Sequence, residues 1–220
     1  MSAEGPRRVT EVLREFGLGD DDLTAWEQSK LPPDGFDDWL TDRVARRPAG
    51  RRAREVYGAE AVHDFARRAI LDALALEAGD RLLDVGCGGG LLLRDAQARG
   101  AMVTGLDHSQ EMVHLARERA SGADVVLGRA EELPFGDESF TAIAMSIVFF
   151  FLPEPINALR ECRRVLVQGG RLAIYTTSPA LRGTPAAPEP LASRVHFYED
   201  EELASQVPGR GVRRRRPDRR

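Results

Sequence analysis

The chain has 220 residues, 42% of them hydrophobic and 30% charged, which is typical of a globular protein with one large domain, alone or with an appendage. Its net charge of −4 disfavours a dedicated nucleic-acid binder. Two cysteines cannot build a disulfide framework and no apolar run is long enough to cross a bilayer, so we expect a cytoplasmic protein. A single lysine beside 30 arginines suggests a GC-rich bacterial gene.

The first part of the chain, residues 1–57, is predicted to be a small helical extension. Apolar residues at helical spacing from Val9 to Phe16 predict a helix that Gly17 closes, and an acidic loop at 20–22 follows. A second amphipathic helix is predicted around Trp39. Two interpretations stay open: the extension is a lid over a binding site, or its aromatic residues only pack it onto the domain.

Residues 81–93, RLLDVGCGGGLLL, are the central stretch of the chain. They predict an apolar strand, a turn with four glycines in five positions, and the start of a helix. Glycines let a ligand approach the backbone closely, and the first N–H groups of a helix have no partner within it. We therefore expect a nucleotide-like cofactor at the carboxyl end of a parallel sheet. The alternative is an ordinary glycine-rich turn that binds nothing.

Two features separate this turn from a dinucleotide-binding turn. Leu91 stands where the G-x-G-x-x-G pattern has its third glycine. An aspartate ends the strand, where its carboxylate can attract a cation such as an α-ammonium group. The segment LLDVGCGGG resembles motif I of class I S-adenosylmethionine-dependent methyltransferases. The resemblance implies S-adenosylmethionine as the cofactor, and the predicted contacts in this segment are Asp84, Gly86, Cys87, Gly88 and Gly90.

A second acidic residue is expected to bind the ribose of that cofactor. The strand predicted at 101–106 ends in Asp107, which follows Gly86 by 21 residues. This spacing is near the ~20 residues expected for a carboxylate that accepts both ribose hydroxyls. His108 is expected to flank the adenine, and Ser109 to cap the next helix. Taken alone, Asp107 can also be an ordinary loop carboxylate.

The segment GRAEELPF, residues 128–135, follows a short third strand predicted at 125–127. It resembles the methyltransferase segment GDAEELPF, whose acid and following amide contact the adenine. Arg129 replaces the acid, and arginine cannot accept hydrogen bonds from the amino group of adenine. The resemblance therefore leaves the adenine to the backbone of Ala130 and to Glu131.

A fourth strand, predicted at 139–148, is expected to bring Ser146 beside the sulfonium of the cofactor. Residues 149–151, three phenylalanines, suggest either an apolar acceptor pocket or core packing. A helix is predicted from Pro155 to the glycine pair at 169–170. The sequence marks no catalytic base; His196 is the best candidate among the histidines, and a structural role is favoured even there. We assign no metal ligands.

The order of elements predicts an α/β fold with a doubly wound, mostly parallel sheet, the Rossmann-like methyltransferase fold, over residues 58–207. The last residues, VPGRGVRRRRPDRR, are too few and too charged for the final two strands of the family's sheet. We therefore expect those strands to be missing, the fifth strand to be an exposed edge available for homo-oligomers, and residues 208–220 to be a disordered arginine-rich tail.

The predicted function is transfer of a methyl group from S-adenosylmethionine to a small-molecule acceptor. Within the family the chain resembles enzymes related to the C-methyltransferases of quinone biosynthesis. The alternatives are a catalytically impaired S-adenosylmethionine-binding protein and, disfavoured by Leu91 and Asp84, an NAD(P)-dependent oxidoreductase. Neither a membrane nor a nucleic acid is an expected partner.

Overall fold

The structure is a computed structural model, and it describes residues 6–48, 54–57, 59–60, 63–176, 178–182, 189, 191–199 and 201–202. The tail predicted at 208–220 lies outside these ranges. The prediction that the last two strands of the sheet are missing depends on residues 207–220, so it also lies outside them. No described helix is long and apolar enough to cross a membrane.

The described residues form a five-stranded sheet in which every neighbouring pair is parallel. The strands are β1 (Arg81–Val85), β2 (Met102–Asp107), β3 (Asp124–Leu127), β4 (Phe140–Ser146) and β5 (Leu166–Tyr175). Their order is β3-β2-β1-β4-β5, so the chain runs outward from β1 to β3 and then returns to the other side of β1. This confirms the predicted doubly wound fold, and it places the topological switch point between β1 and β4.

Helices cover both faces of the sheet: α4 (Asp64–Leu74), α5 (Leu91–Gln97), α6 (Gln110–Arg119) and α7 (Pro155–Val165). The helices α1 (Pro6–Glu15), α2 (Asp20–Ser29) and α3 (Phe36–Thr41) belong to the N-terminal extension. Alternate residues of β1 serve the two faces: Leu82 packs with residues of α4, α5 and α6, whereas Leu83 packs with residues of α7. The central strands β1 and β4 are buried almost throughout and are mostly apolar, as is usual in parallel sheets.

The acidic run at 20–22 is not the predicted loop. It forms the first turn of α2, where negative charge is favourable against the N-terminal end of the helix dipole. The Asp22 carboxylate also accepts a 3.1 Å hydrogen bond from the Gly19 backbone N–H. Three successive aspartates are compatible with a loop or with the start of a helix. The capping contact stabilises the helix start.

The predicted end of α7 is also wrong. The helix ends at Val165, and β5 begins at the next residue. The glycine pair at 169–170 lies instead in an irregular part of β5, where the pairing shifts from Phe140↔Leu166 to Ala142↔Arg171. Pairing with β4 thus sets the boundary, and the glycines serve a β-bulge rather than a helix stop.

The N-terminal helices have an apolar core of their own, built around Leu13, Leu18, Leu40 and Val44. The rings of Phe36 and Trp39 lie against this core and Trp26 packs on both, with centroids 5.1–6.0 Å apart. The aromatic residues of the extension therefore pack mainly with one another. This supports the packing interpretation of these side chains, whatever the extension does as a whole.

Candidate functional site

The glycine turn folds over the end of β2. The backbone N–H groups of Gly86 and Cys87 both donate to the carbonyl oxygen of Leu106, over 2.7 and 3.0 Å. Gly86, Gly88 and Gly90 have φ angles of +75°, +50° and +80°, in the left-handed region that side chains disfavour. The turn is therefore held by β2 and by backbone angles that glycine adopts without strain.

The three left-handed glycines have different surroundings. A Cβ at Gly86 would lie 2.6 Å from Cγ2 of Val148, and a Cβ at Gly90 would lie 2.8 Å from the Cα of Ala116. Space beside these two is taken by protein. A Cβ at Gly88 would meet nothing within 4 Å. Gly88 is therefore the point of the turn at which the backbone is open to a ligand.

Asp107 lies directly beside this open point. Its Oδ2 accepts a 2.9 Å hydrogen bond from the Gly88 N–H, and its Oδ1 accepts a 2.8 Å hydrogen bond from the Ser109 N–H. Burial raises the pKa of this carboxyl, whereas the two amide hydrogen bonds act to lower it. Each carboxylate oxygen retains a further lone pair, so vicinal hydroxyls of a ligand can still donate to it.

Asp84 adds a second buried carboxylate. Asp84 is only 1% exposed, and its Oδ1 has no hydrogen-bond partner within the described part of the chain. Burial, and then the charge of Asp107, raise the pKa of Asp84 to about 8. A buried oxygen without a partner costs stability, so this arrangement favours either a proton or a cationic ligand at Asp84.

The adenine-side candidates lie after β3. Ala130 is buried, and Oε2 of Glu131 lies 3.6 Å from the guanidinium of Arg129. The other oxygen, Oε1, is buried and has no hydrogen-bond partner among the described residues. Glu131 thus holds a second vacant acceptor on the same edge of the sheet, and Arg129 lies toward solvent and pairs with this acid.

The remaining candidates differ in their surroundings. The Cys87 sulfur lies 2.9 Å from where a Cβ at Gly105 would be, and burial raises the pKa of this thiol well above its ordinary value. His108 is exposed, and its Nε2 contacts the carbonyl oxygen of Arg46. Ser146 ends β4, half-buried, in register with Tyr175. Ser109 caps α6, as predicted, by accepting from the Met112 N–H.

Two of the three phenylalanines after β4 are core residues. Phe149 is 0% exposed and Phe150 6%, and the Phe149 ring lies 5.1 Å from that of Tyr198. Core packing is therefore the interpretation that the structure supports for both. His196 is exposed, and its backbone N–H donates to the carbonyl of Phe150, which ties the segment around 196 to this turn.

Sequence reasoning missed two features of the carboxyl edge. Thr176 follows β5, and its hydroxyl oxygen is buried without a hydrogen-bond partner in the described structure. Ile147 follows β4 with φ +57°, which is strained for a β-branched residue, and its N–H donates to the Tyr175 carbonyl. The Ile147 contact continues the pairing of β4 with β5, and no residue-type pattern predicts either feature.

Comparison with known proteins shows which kind of domain carries this site. Residues 83–174 match the family model described as a methyltransferase domain. These residues are similar to a class I methyltransferase domain. The family predicted from the glycine turn is thereby confirmed, and such a domain implies S-adenosylmethionine as the cofactor.

The methyltransferase domain has relatives with named activities. It is 40% identical over 129 residues to 27-O-demethylrifamycin SV methyltransferase of Amycolatopsis mediterranei (strain S699), a match that covers 56% of this chain and 47% of that protein. It is 34% identical over 115 residues to demethylmenaquinone methyltransferase of Thermotoga maritima, covering 51% and 50%. The chain spans about half the length of the curated relatives it matches.

A solved structure extends the likeness to the fold. The crystal structure of the cyclase SpnF superposes with a TM-score of 0.57 at 30% identity, covering 67% of this chain and 57% of that one. The methyltransferase domain therefore shares its fold with a protein named for a different reaction. The fold alone does not fix the chemistry, which depends on the site.

The residues of the site fit S-adenosylmethionine. The cofactor carries an α-ammonium group and a sulfonium, and two carboxylates lie together here, one of them with an unpaired buried oxygen. It also carries vicinal ribose hydroxyls, for which Asp107 has free lone pairs beside the open backbone of Gly88. The open backbone, the buried carboxylates and the free hydrogen-bond acceptors lie together at the carboxyl ends of β1 and β2, and each of them matches a group of the cofactor.

Proposed function

We propose that the chain transfers a methyl group from S-adenosylmethionine to a small-molecule acceptor. The observation that carries the proposal is the hydrogen bond between Gly88 and Asp107, which joins the open turn to the predicted ribose acid. The unpaired oxygen of Asp84 adds the place for a positive charge. The stretch that matches the methyltransferase model, residues 83–174, includes all three residues.

Asp84, Gly88, Asp107 and Glu131 form the cofactor cradle, and each has a role in this proposal. Asp84 binds the α-ammonium group, Asp107 accepts hydrogen bonds from the ribose hydroxyls, and the Gly88 backbone lets the ligand lie close. Oε1 of Glu131 is a vacant buried acceptor, suited to the amino group of adenine that Arg129 cannot bind. In this way Glu131 replaces the acid that the sequence lacks at 129. Cys87, Gly86, Gly90, His108 and Ala130 shape the surroundings.

The acceptor is proposed to lie at the ends of β4 and β5. Residues of β1, β2 and the segment after β3 take the cofactor, so the other side of the switch point is left for the second substrate. Ser146 and Thr176 supply hydroxyl groups there, and the one on Thr176 is buried and unpaired within the described residues. This combination suits a largely apolar molecule that carries an oxygen substituent.

Methyl transfer mainly requires that the acceptor atom be held in line with the methyl group. The bound cofactor supplies an activated methyl group, and holding an acceptor atom in line with it can lower the barrier by about 7–11 kcal/mol. A base is needed only if the acceptor atom must lose a proton. The chain's own part is therefore to orient both ligands and to exclude water, for which the buried edge around Thr176 and Phe150 is suited.

A second candidate is a protein that binds S-adenosylmethionine without transferring its methyl group. The likeness to SpnF, a cyclase on the same fold, supports this candidate, as does Arg129 in place of the usual acid. Both candidates need the same cradle and differ only in turnover.

Two measurements separate these proposals. Calorimetry with S-adenosylmethionine, S-adenosylhomocysteine and NADH should show binding of the first two alone; binding of NADH instead would overturn the proposed cofactor. Transfer of radiolabelled methyl groups to a library of hydroxylated and quinol compounds should then give labelled product. Cofactor binding without any product would favour the second candidate.

Cellular location and assembly are also proposals. We propose a cytoplasmic protein that works without a membrane or nucleic-acid partner. β5 is an outer strand of the described sheet, so pairing through it offers one route to a homo-oligomer. Sedimentation at several protein concentrations tests this; a monomer at all of them would argue against it.

A further inference from the structure

One arginine joins the glycine turn to the N-terminal extension. Arg119, at the end of α6, donates from Nη1 to the carbonyl oxygen of Gly89 over 2.6 Å. The same nitrogen donates to the carbonyl oxygen of Tyr57 over 3.2 Å. A single guanidinium group thus contacts the cofactor turn and the extension together.

This contact explains the glycine at position 89. Unlike its neighbours at 88 and 90, Gly89 has no left-handed φ angle, so its backbone conformation does not demand glycine. A Cβ there would lie 2.8 Å from the Tyr57 carbonyl oxygen and 2.9 Å from Nη1 of Arg119. It would also lie 2.8 Å from Cδ2 of Leu115, so the extension backbone, the guanidinium and a side chain of α6 together leave room only for glycine.

The extension is held against the cofactor cradle at further points. Tyr57 packs on Met112 and Leu115 of α6, and within the extension its hydroxyl donates to the Val44 carbonyl over 3.1 Å. The carbonyl of Pro48 accepts a 3.1 Å hydrogen bond from the hydroxyl of Ser109, whose N–H in turn binds Asp107. The extension therefore contacts both the glycine turn and the loop that holds the ribose acid.

We propose that Arg119 is a positioning residue that sets the glycine turn for the cofactor and couples cofactor binding to docking of the N-terminal extension. Arg119 acts through the carbonyl groups of Gly89 and Tyr57 and does not itself touch the ligand. Because a docked extension and an ordered turn share this side chain, each stabilises the other. The coupling to the cofactor rests on the proposed function; the link between turn and extension does not.

The chain offers a matched control on the same helix. Arg117 donates from Nε and Nη2 to the carbonyl oxygen of Val125, over 3.1 and 2.6 Å, which lies in β3 and not in the turn. Arg119→Met and Arg117→Met each remove a guanidinium that binds backbone carbonyls. Only the first removes the link between turn and extension.

Calorimetry with S-adenosylhomocysteine is the first test on the full chain. We expect Arg119→Met to weaken binding by about tenfold or more, Arg117→Met to change it less than about twofold, and Arg119→Lys, which keeps a donor, to fall between. Equal losses in the two Met variants would reduce Arg119 to a general structural role and overturn the proposal.

Hydrogen exchange on the unliganded protein is the second test, and it needs no cofactor. Arg119→Met should speed exchange in residues 86–92 and in residues 54–57 together, whereas Arg117→Met should leave both unchanged. If Arg119→Met does not fold, the same comparison is made with Arg119→Lys. Unchanged exchange in the turn would overturn the link. A wild-type protein that binds no cofactor yet shows this exchange pattern would refute the proposed function alone.

Discussion

Asp84 and Asp107 bury two carboxyl groups at the ends of neighbouring parallel strands, and the charge of Asp107 is the second cause, after burial, of the raised pKa of Asp84. Two negative charges in one apolar surrounding are unfavourable without a cation. The pair therefore gives the site a preference for a positively charged ligand before any other contact is made.

The first prediction follows from this preference. With a pKa of about 8, Asp84 is protonated in the free protein at pH 6 and must release that proton to bind an α-ammonium group. An α-amino group is itself protonated below about pH 7.7, so cofactor affinity should rise as the pH increases from 5.5 to 7.5. Calorimetry in buffers of different ionisation enthalpy measures the released proton.

The control for this prediction is Asp84→Asn. This variant has no titrating group at position 84, so its weaker binding should lose the pH dependence over the same range. A pH profile identical to that of the wild type would assign the proton to another group.

The second prediction concerns the ribose acid. Asp107→Ala removes the acceptor for the N–H groups of Gly88 and Ser109 as well as the expected contact with the ribose hydroxyls. We expect S-adenosylmethionine binding to weaken by more than about tenfold. Titration calorimetry checks this, and Asp107→Asn, which retains one acceptor oxygen, should lose less. An unchanged affinity in the Ala variant would remove Asp107 from the site.

The third prediction compares two glycines with similar backbone angles. Alanine at Gly88 carries a left-handed φ penalty of about 1–2 kcal/mol but meets no atom, so the protein should fold and bind the cofactor poorly. Alanine at Gly86 carries the same penalty and also collides with Val148, so it should lose more stability. Urea denaturation gives both free energies of unfolding. Equal losses in the two variants would contradict the assignment of Gly88 as the open point.

The fourth prediction concerns the unpaired hydroxyl of Thr176. Replacing it with the isosteric valine removes a buried group that has no hydrogen-bond partner in the described structure, so Thr176→Val should raise the free energy of unfolding by about 1 kcal/mol. The same variant should raise KM for the acceptor, because the hydroxyl is proposed to bind it. Thr176→Ser, which keeps the hydroxyl, serves as the control. A destabilised valine variant would indicate a structural role for the hydroxyl.

The sequence allowed the strands and the cofactor cradle to be predicted because their signals are local or depend on a fixed spacing. The glycine turn lies within 13 residues, and Asp107 follows at the distance that one helix between adjacent parallel strands imposes. Ser109 was predicted as a cap for the same reason: a capping contact spans only three residues.

The features that were not predicted depend on residues far apart in the chain. Gly89 is small because of Tyr57 and Arg119, 32 and 30 positions away, and Ile147 is strained because of its bond to Tyr175. The end of α7 was wrong because pairing with β4 extends β5 back to Leu166. Sequence periodicity carries no record of such contacts.

The contact between Val148 and the position of a Cβ at Gly86 has a consequence for redesign. The loop after β4, on the side proposed for the acceptor, and the first glycine of the turn form one packed unit. A side chain at position 86 would need a smaller residue at 148 as well as a backbone that tolerates φ +75°, and a smaller residue at 148 would leave space beside the first glycine of the turn. If the proposed function holds, a substitution at residue 86 or 148 should change cofactor binding and acceptor binding together.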